Sequence, residues 1–104
     1  MKNINELTEV LSGLTLFVQV VEKGSFSAAG RALSMSPSSV SRMIDRLEKR
    51  LNLILFTRTT RALLITEAGQ EIYGQALTVI AATNALFSRA DSYSDKPRGL
   101  LRIT

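Results

Sequence analysis

The 104-residue sequence contains no cysteine and no histidine. The first absence removes disulfides and thiolate chemistry, the second removes imidazole acid-base catalysis, and together they remove nearly every transition-metal site. Enzymatic readings lose most of their candidate groups at once. The carboxylates are scattered, with Asp45 and Glu48 the one close pair in the basic region, and they resemble surface charges more than a catalytic couple. No apolar run approaches the roughly 18 to 20 residues a membrane span needs, so no membrane is expected as a partner. The N-terminus, MKNINELTEV, is acidic and polar where a secretory signal would be basic and then apolar, which predicts a cytoplasmic protein. The length suits one compact domain.

What is present is charge, unevenly placed. The formal total is +4, yet between Arg31 and Arg61 seven basic residues face two acidic ones, and the remainder of the chain is net negative by one. A basic centre between neutral or acidic flanks suggests a surface for a polyanion. The plainer alternative is a solvated face of mixed charge.

Helical spacing of Val10, Leu14, Phe17, Val18 and Val21 predicts a first helix from about Glu9 to Lys23, with Gly24 closing it in a left-handed conformation. Gly13 inside this pattern obscures where the helix begins. Ser25 can cap a short second helix with apolar positions Phe26, Ala29 and Leu33. The stretch SMSPSSVSRMIDRLEKRL, from Ser34 to Leu51, is the third: Ser36 precedes Pro37, which suits the first helical position because its missing N–H would have had no partner there. Val40, Ile44, Leu47 and Leu51 form one stripe with Met43 at its margin. The opposite face carries Ser38, Arg42, Asp45 and Lys49, flanked by Ser39, Ser41 and Arg46. A turn as short as Ser34-Met35-Ser36 is what a helix-turn-helix uses to cross two helices.

Beyond Leu51, β-prone pieces near Leu53 to Thr57 and Leu63 to Thr66 flank the polar RTTR of Arg58 to Arg61, predicting a small hairpin with a basic tip. From Glu67 to about Ser92 a long helix follows. One apolar seam runs through Ile72, Ala76, Val79, Thr83, Leu86 and Ala90, and a second through Gly69, Tyr73, Ala76, Ile80, Thr83 and Phe87. Such a helix, about 37 Å long, outreaches the small domain before it. Two seams suggest two partners, the domain's own core and a second copy of the chain; a single broad core-facing stripe in a monomer is the alternative. Residues 91–99, DSYSDKPRG, have the composition of a linker, and LLRIT after them reads as the opening of a strand.

Three helices and a basic hairpin make a winged helix-turn-helix. Small residues at the front of the third helix let its backbone approach the floor of a major groove, where serine hydroxyls can meet base edges or phosphates. The free N–H groups of its first turn direct partial positive charge at phosphate. Arg42 can reach phosphate or a guanine edge; Arg46 and Lys49 lie further along the backbone path. An arginine of the wing in a narrow minor groove would read A·T-rich shape. Each has a duller counterpart. Ser36 is better explained as a cap, Ser38, Ser39 and Ser41 as solvated helix surface, and Asp45 as the partner of Lys49 four residues on rather than of a cytosine amino group. Arg58 has the alternative of pairing with a carboxylate of its own domain and so orienting the wing.

In order, VVEKGSFSAA, LSMSPSSVSRMIDRLEKRL, LFTRTTR and ITEAG within Leu16 to Gly69 resemble the N-terminal DNA-binding domain of LysR-type transcriptional regulators. The resemblance implies a mainly α fold, with a winged helix-turn-helix over residues 1–66 and an antiparallel dimerising linker helix over 67–92. Residues 93–104 would then be a hinge and the start of a C-terminal domain that binds a small-molecule effector. It also implies a homodimer on an inverted-repeat operator of double-stranded DNA, a full-length chain that tends to assemble further into tetramers, and no cofactor within this segment. The groove-facing positions fall on Pro37, Ser38, Ser41 and Arg42, and the minor-groove wing arginine on Arg61. The full set of expected DNA-facing residues is Ser27, Pro37, Ser38, Ser39, Ser41, Arg42, Arg46, Lys49, Arg58, Thr60 and Arg61. The expected dimer surface is Ile72, Ala76, Val79, Ile80, Thr83, Leu86 and Phe87. Three departures stand out: Pro37-Ser38 where many members have Gln-Pro, Gly30 where alanine is usual, and Asn52 where glycine is usual. The rival classes are a protein-interaction module built on the long helix and, against the missing His and Cys, an enzyme.

Overall fold

The computed structural model describes residues 3–59 and 61–94. Three helices, a two-stranded hairpin and a long fourth helix follow in order: α1 (Ile4–Lys23), α2 (Phe26–Leu33), α3 (Pro37–Leu51), β1 (Phe56–Arg58), β2 (Leu63–Ile65) and α4 (Glu67–Ser94). Each boundary of the helical core has a local cause. Ser25 accepts the Ala28 N–H at 3.0 Å and starts α2, and Gly24 ends α1 with φ +82°. Ser36 starts α3 before Pro37, and Asn52 ends it in the left-handed region at φ +57°. Asparagine tolerates that conformation, so Asn52 serves where glycine is usual. Ser34 is left-handed as well, and the Met35 N–H then reaches the Gly30 carbonyl at 2.8 Å. A Cβ on Gly30 would stand 2.4 Å from the Met35 oxygen, so the α2–α3 turn is drawn tighter here than an alanine allows.

The core gathers Leu16, Phe17 and Val20 of α1, Ala29 of α2, Val40, Ile44 and Leu47 of α3, and Leu55 and Phe56 before and in β1. Phe17 sits at its centre, 5.4 Å from the Phe56 ring and 6.5 Å, edge-on, from Tyr73 of α4. Burying each large side chain of this set contributes about 1.5 to 3 kcal/mol, which is what holds the eight-residue α2 in place.

Several expectations need correcting. α1 begins at Ile4, about a turn earlier than Glu9, because Asn3 caps it by accepting the Glu6 N–H at 2.9 Å. By length and composition α1 could cross a membrane, contrary to the expectation that no segment could. Its Leu16, Phe17 and Val20 are occupied in the domain core, and Glu6, Glu9, Glu22 and Lys23 lie along it. Leu33 is exposed rather than part of the α2 stripe, since the helix ends at that residue and Gly30 takes the buried place beside Ala29. The first strand starts at Phe56, not Leu53: residues Asn52 and Leu53 close α3 on the Glu48 carbonyl instead. β1 and β2 pair antiparallel, Phe56 with Ile65 and Arg58 with Leu63.

α4 is started by Thr66, whose hydroxyl accepts the Gly69 N–H at 2.9 Å and donates to the Ile54 carbonyl at 2.6 Å. Tyr73 donates to Glu22 at 3.2 Å and ties α4 to α1; desolvation by its neighbours, that hydrogen bond and the Glu22 charge raise its phenol above the ordinary value, so it donates throughout the neutral range. The helix runs to Ser94, two residues past the expected end, so residues 91–94 are helical rather than linker. The rest of the expected hinge and strand, residues 95–104, lies outside the described residues.

Gly69 is where the helix start meets the hairpin, and a Cβ there would fall 2.4 Å from the Leu55 oxygen and 2.7 Å from Ile65 Cγ1. Gly69→Ala is expected to lower stability by about 1 to 3 kcal/mol through overpacking, as measured by urea unfolding.

Candidate nucleic-acid interface

The front of α3 is organised by one hydroxyl. Ser36 accepts the Ser39 N–H at 3.2 Å and donates to the Ser39 hydroxyl at 2.9 Å, with the Ser38 hydroxyl 3.3 Å away. Arg42 then donates to the Ser39 oxygen at 3.4 Å. Ser36 is therefore the cap, and Ser39, half-buried, belongs to the same local network. Pro37, Ser38, Arg42, Asp45, Arg46 and Lys49 are exposed, while Val40, Ile44 and Leu47 hold the opposite side against the core. Ser27 is exposed on the first turn of α2.

The wing turns on Thr59. Its hydroxyl accepts the N–H groups of Arg61 at 3.2 Å and Ala62 at 2.9 Å, and its own N–H donates to the Ala62 carbonyl at 2.9 Å. A threonine side chain thus closes the turn and presents Arg61, which is exposed, at the tip. Thr60 lies outside the described residues.

Arg58 behaves differently from Arg61. Its guanidinium is 2.9 Å from Asp45 and 3.6 Å from Glu48, donates to the Ser41 hydroxyl at 3.4 Å, and lies 5.0 Å above the Phe26 ring. The alternative of an internal partner is the one realised. Asp45, expected to pair with Lys49, instead crosses to the wing. Glu48 is the link between the two elements: one carboxylate oxygen accepts the Leu55 N–H at 2.8 Å and the Phe56 N–H at 3.3 Å, while the other faces Arg58.

The basic residues therefore divide into two groups. Arg50 is engaged by Glu6 and Glu9 of α1 at 3.2 and 2.8 Å, Arg46 leans to Glu9 at 3.8 Å, and Arg58 is held by α3. Arg31, Arg42, Lys49 and Arg61 have no carboxylate partner among the described residues. Glu48, Thr59 and Phe26 were missing from the expected site because their roles are long-range or turn-specific. Only Thr59 left a local signal, a threonine two residues before the tip arginine. Among the described residues no cluster of His, Cys, Asp or Glu could hold a metal ion.

On the long helix, the expected dimer residues also divide. Ala76 is wholly buried within its own chain and Ile72 packs against the core cluster, so these two serve the chain's own domain. Val79 and Ile80 are half-buried; Thr83, Leu86 and Phe87 are exposed, the last two by more than 60%.

A recognition-type helix backed by a three-helix core, beside a hairpin whose tip offers an arginine, defines a winged helix-turn-helix of the DNA-binding class. Residues 11–70, more than half of the chain, match the family model of the bacterial regulatory helix-turn-helix proteins of the lysR family. The chain belongs to that family, and this segment is the DNA-binding domain of a LysR-type regulator. It is 42% identical over 90 residues to the HTH-type transcriptional regulator CrgA of Neisseria meningitidis serogroup C, covering 86% of this chain but 30% of CrgA. Its fold matches the BenM DNA-binding domain in complex with catB site 1 DNA with a TM-score of 0.78 and 28% identity, over 85% of this chain and 98% of that one. The CbnR DNA-binding domain in its DNA complex matches at 0.73 and 25% identity, over 81% and 97% of the two chains. The chain spans about a third or less of the curated relatives it matches. Those relatives bear the names of transcriptional regulators.

Glu48→Ala strips the acceptor from two backbone N–H groups and one partner from Arg58. A loss of about 2 to 4 kcal/mol is expected, read as a shift in the urea midpoint, with Leu55 and Phe56 amide protection falling first in hydrogen exchange.

Proposed function

We propose that two copies of this chain bind double-stranded DNA sequence-specifically, as the reading part of a bacterial regulator acting in the cytoplasm on nucleoid DNA. The observation that carries the reading is a set of exposed cations on α3 and on the wing. Arg42 and Lys49 lie on the exposed side of α3 and Arg61 at the wing tip, without carboxylate partners among the described residues. The solved DNA complexes of BenM and CbnR domains of the same fold support it. In this reading α3 enters the major groove front first, with Pro37, Ser38 and Ser41 near the bases and Arg42 on a base edge or phosphate. Ser27, Arg46 and Lys49 meet the backbone, and Arg61 enters the adjacent minor groove. Two-fold pairing through α4 sets two such helices about one DNA turn, roughly 34 Å, apart on an inverted repeat. The segment needs no cofactor; a small-molecule effector binds elsewhere in the full-length regulator, which assembles to a dimer or a tetramer.

The testing experiment selects bound duplexes from a random pool and measures their affinity at two salt concentrations. Affinity is expected to fall steeply with salt. Arg42→Ala weakens cognate binding by about 1 to 3 kcal/mol if it reads a base, with a smaller loss on scrambled duplex; equal losses on both assign it to phosphate. A chain that selects no consensus contradicts the proposal. For the pairing, Leu86→Asp places a charge on the exposed seam and is expected to give monomers by light scattering where the unaltered chain is dimeric; a monomeric unaltered chain removes the role given to α4.

A further inference from the structure

We infer that Asp45 and Arg58 form a charge-neutral latch that holds the first arginine of the wing away from DNA phosphates and fixes the wing against the recognition helix. Asp45 is thereby a positioning and specificity-determining residue. The inference rests on the DNA-binding reading above.

Asp45 stands on the outer face of α3, one turn from Arg42 on one side and from Lys49 on the other, and its side chain is 53% exposed. A lone carboxylate there repels phosphate and weakens binding to any duplex. Arg58, on a strand of a solvent-exposed wing, would by itself be free to seek phosphate. Instead its guanidinium is turned inward: 2.9 Å from Asp45, 3.4 Å from the Ser41 hydroxyl and stacked 5.0 Å over Phe26, which fixes it to α2 and α3 together. Glu48 stands further off at 3.6 Å, and its other oxygen is occupied by the Leu55 and Phe56 amides, so Asp45 supplies the short contact. The planar fork of arginine suits such multi-sided holding.

The two charges cancel, so the pair adds little to affinity for DNA in general. What it supplies is a fixed relation between α3 and the Arg61 tip. A phosphate contact from a freed Arg58 would strengthen cognate and random duplexes alike and so reduce the ratio between them.

The test compares salt dependence for the 104-residue chain and its variants on a selected duplex and on a random one. Asp45→Asn is expected to steepen the fall of log affinity against log salt by up to ~0.9, the increment of one phosphate contact. It should strengthen random-duplex binding more than cognate binding. Arg58→Gln is expected to leave the slope where it is and lower the cognate-to-random ratio. The double variant Asp45→Asn/Arg58→Gln should regain only the affinity that the uncovered Asp45 carboxylate costs in Arg58→Gln, with the salt slope of the unaltered chain. Three results overturn the latch. One is a slope reduced by ~0.9 in Arg58→Gln, which makes Arg58 a phosphate ligand of the unaltered protein. The second is a slope as steep in the double variant as in Asp45→Asn, which makes Asp45 act through its own charge alone and not through Arg58. The third is an unchanged slope in Asp45→Asn; this nearly isosteric change at an exposed site decides the matter even if Arg58→Gln melts early by circular dichroism. An unaltered chain that binds no duplex overturns the DNA-binding reading, and the latch with it, before any variant is compared.

Discussion

The carboxylate of Glu48 ties the segment that leads into the wing back to the recognition helix. Its side chain is only 13% exposed, and it receives two backbone N–H groups from the segment that leaves α3 and enters β1. Without an acceptor at that point the chain between Asn52 and Phe56 would carry unpaired amides toward the core, at a cost of about 1 to 3 kcal/mol each. With it, Leu55 and Phe56 are delivered into the cluster around Phe17, and Phe56 also meets Phe26 edge-on at 6.3 Å. The hairpin follows in register from there. A polar contact thus places the apolar ones, and those in turn anchor α2, which is too short to be helical alone.

The same geometry revises what the charge of the sequence means. Counted along the chain, the centre is strongly basic, but three of its seven cations are engaged by carboxylates: Arg46 and Arg50 by Glu6 and Glu9, Arg58 by Asp45 and Glu48. Exposed ion pairs of this kind contribute little stability. Their effect here is to sort the field, neutralising the side of α3 that faces α1 and leaving Arg31, Arg42, Lys49 and Arg61 to act outward. A polyanion approaching this surface meets fewer cations than the composition promises, in a narrower arrangement.

Much of the local chemistry was legible in the sequence because its partner lies within four residues. Ser25, Ser36 and Pro37 marked the helix starts because a cap bonds N–H groups three residues ahead, and Gly24 marked an end because a left-handed residue excludes most side chains. The stripe of Val40, Ile44 and Leu47 was legible for the same reason, since helical periodicity is a local property. Asp45 was misassigned because Lys49 is near in sequence while Arg58 is near only in space. Leu53 looked like strand by residue type, yet it completes the cap that Asn52 begins, and cap geometry outweighs β propensity there. The start of α1 escaped notice because Ile4 and Leu7 are exposed and add nothing to the core pattern from which the helix was read. Periodicity showed the long helix and its two partners, and the family resemblance singled out the wing arginine Arg61, but neither showed that the two uses divide along the length of the helix.

That split follows from where α4 leaves the domain. Up to Ala76 the helix packs on α1 and the core, through Ile72, Tyr73 and the Tyr73–Glu22 bond. Beyond Ile80 every described residue of the helix is exposed, and the molecule extends to 57 Å along its longest axis. The fourteen exposed residues to Ser94 make about 21 Å of helix, apolar at Leu86 and Phe87 and with the Thr83 hydroxyl bonded back to the Val79 carbonyl at 2.9 Å. That bond occupies the Thr83 hydroxyl within the helix, so the exposed seam is less polar than its residue types suggest. An apolar seam on a helix this long, with no covering element among the described residues, is poorly explained by a monomer. In the proposed dimer it also has a geometric consequence. Because the inner half of α4 is rigidly joined to the core, pairing of the outer halves fixes the distance between the two copies of α3, and with it the half-site spacing that the pair can read.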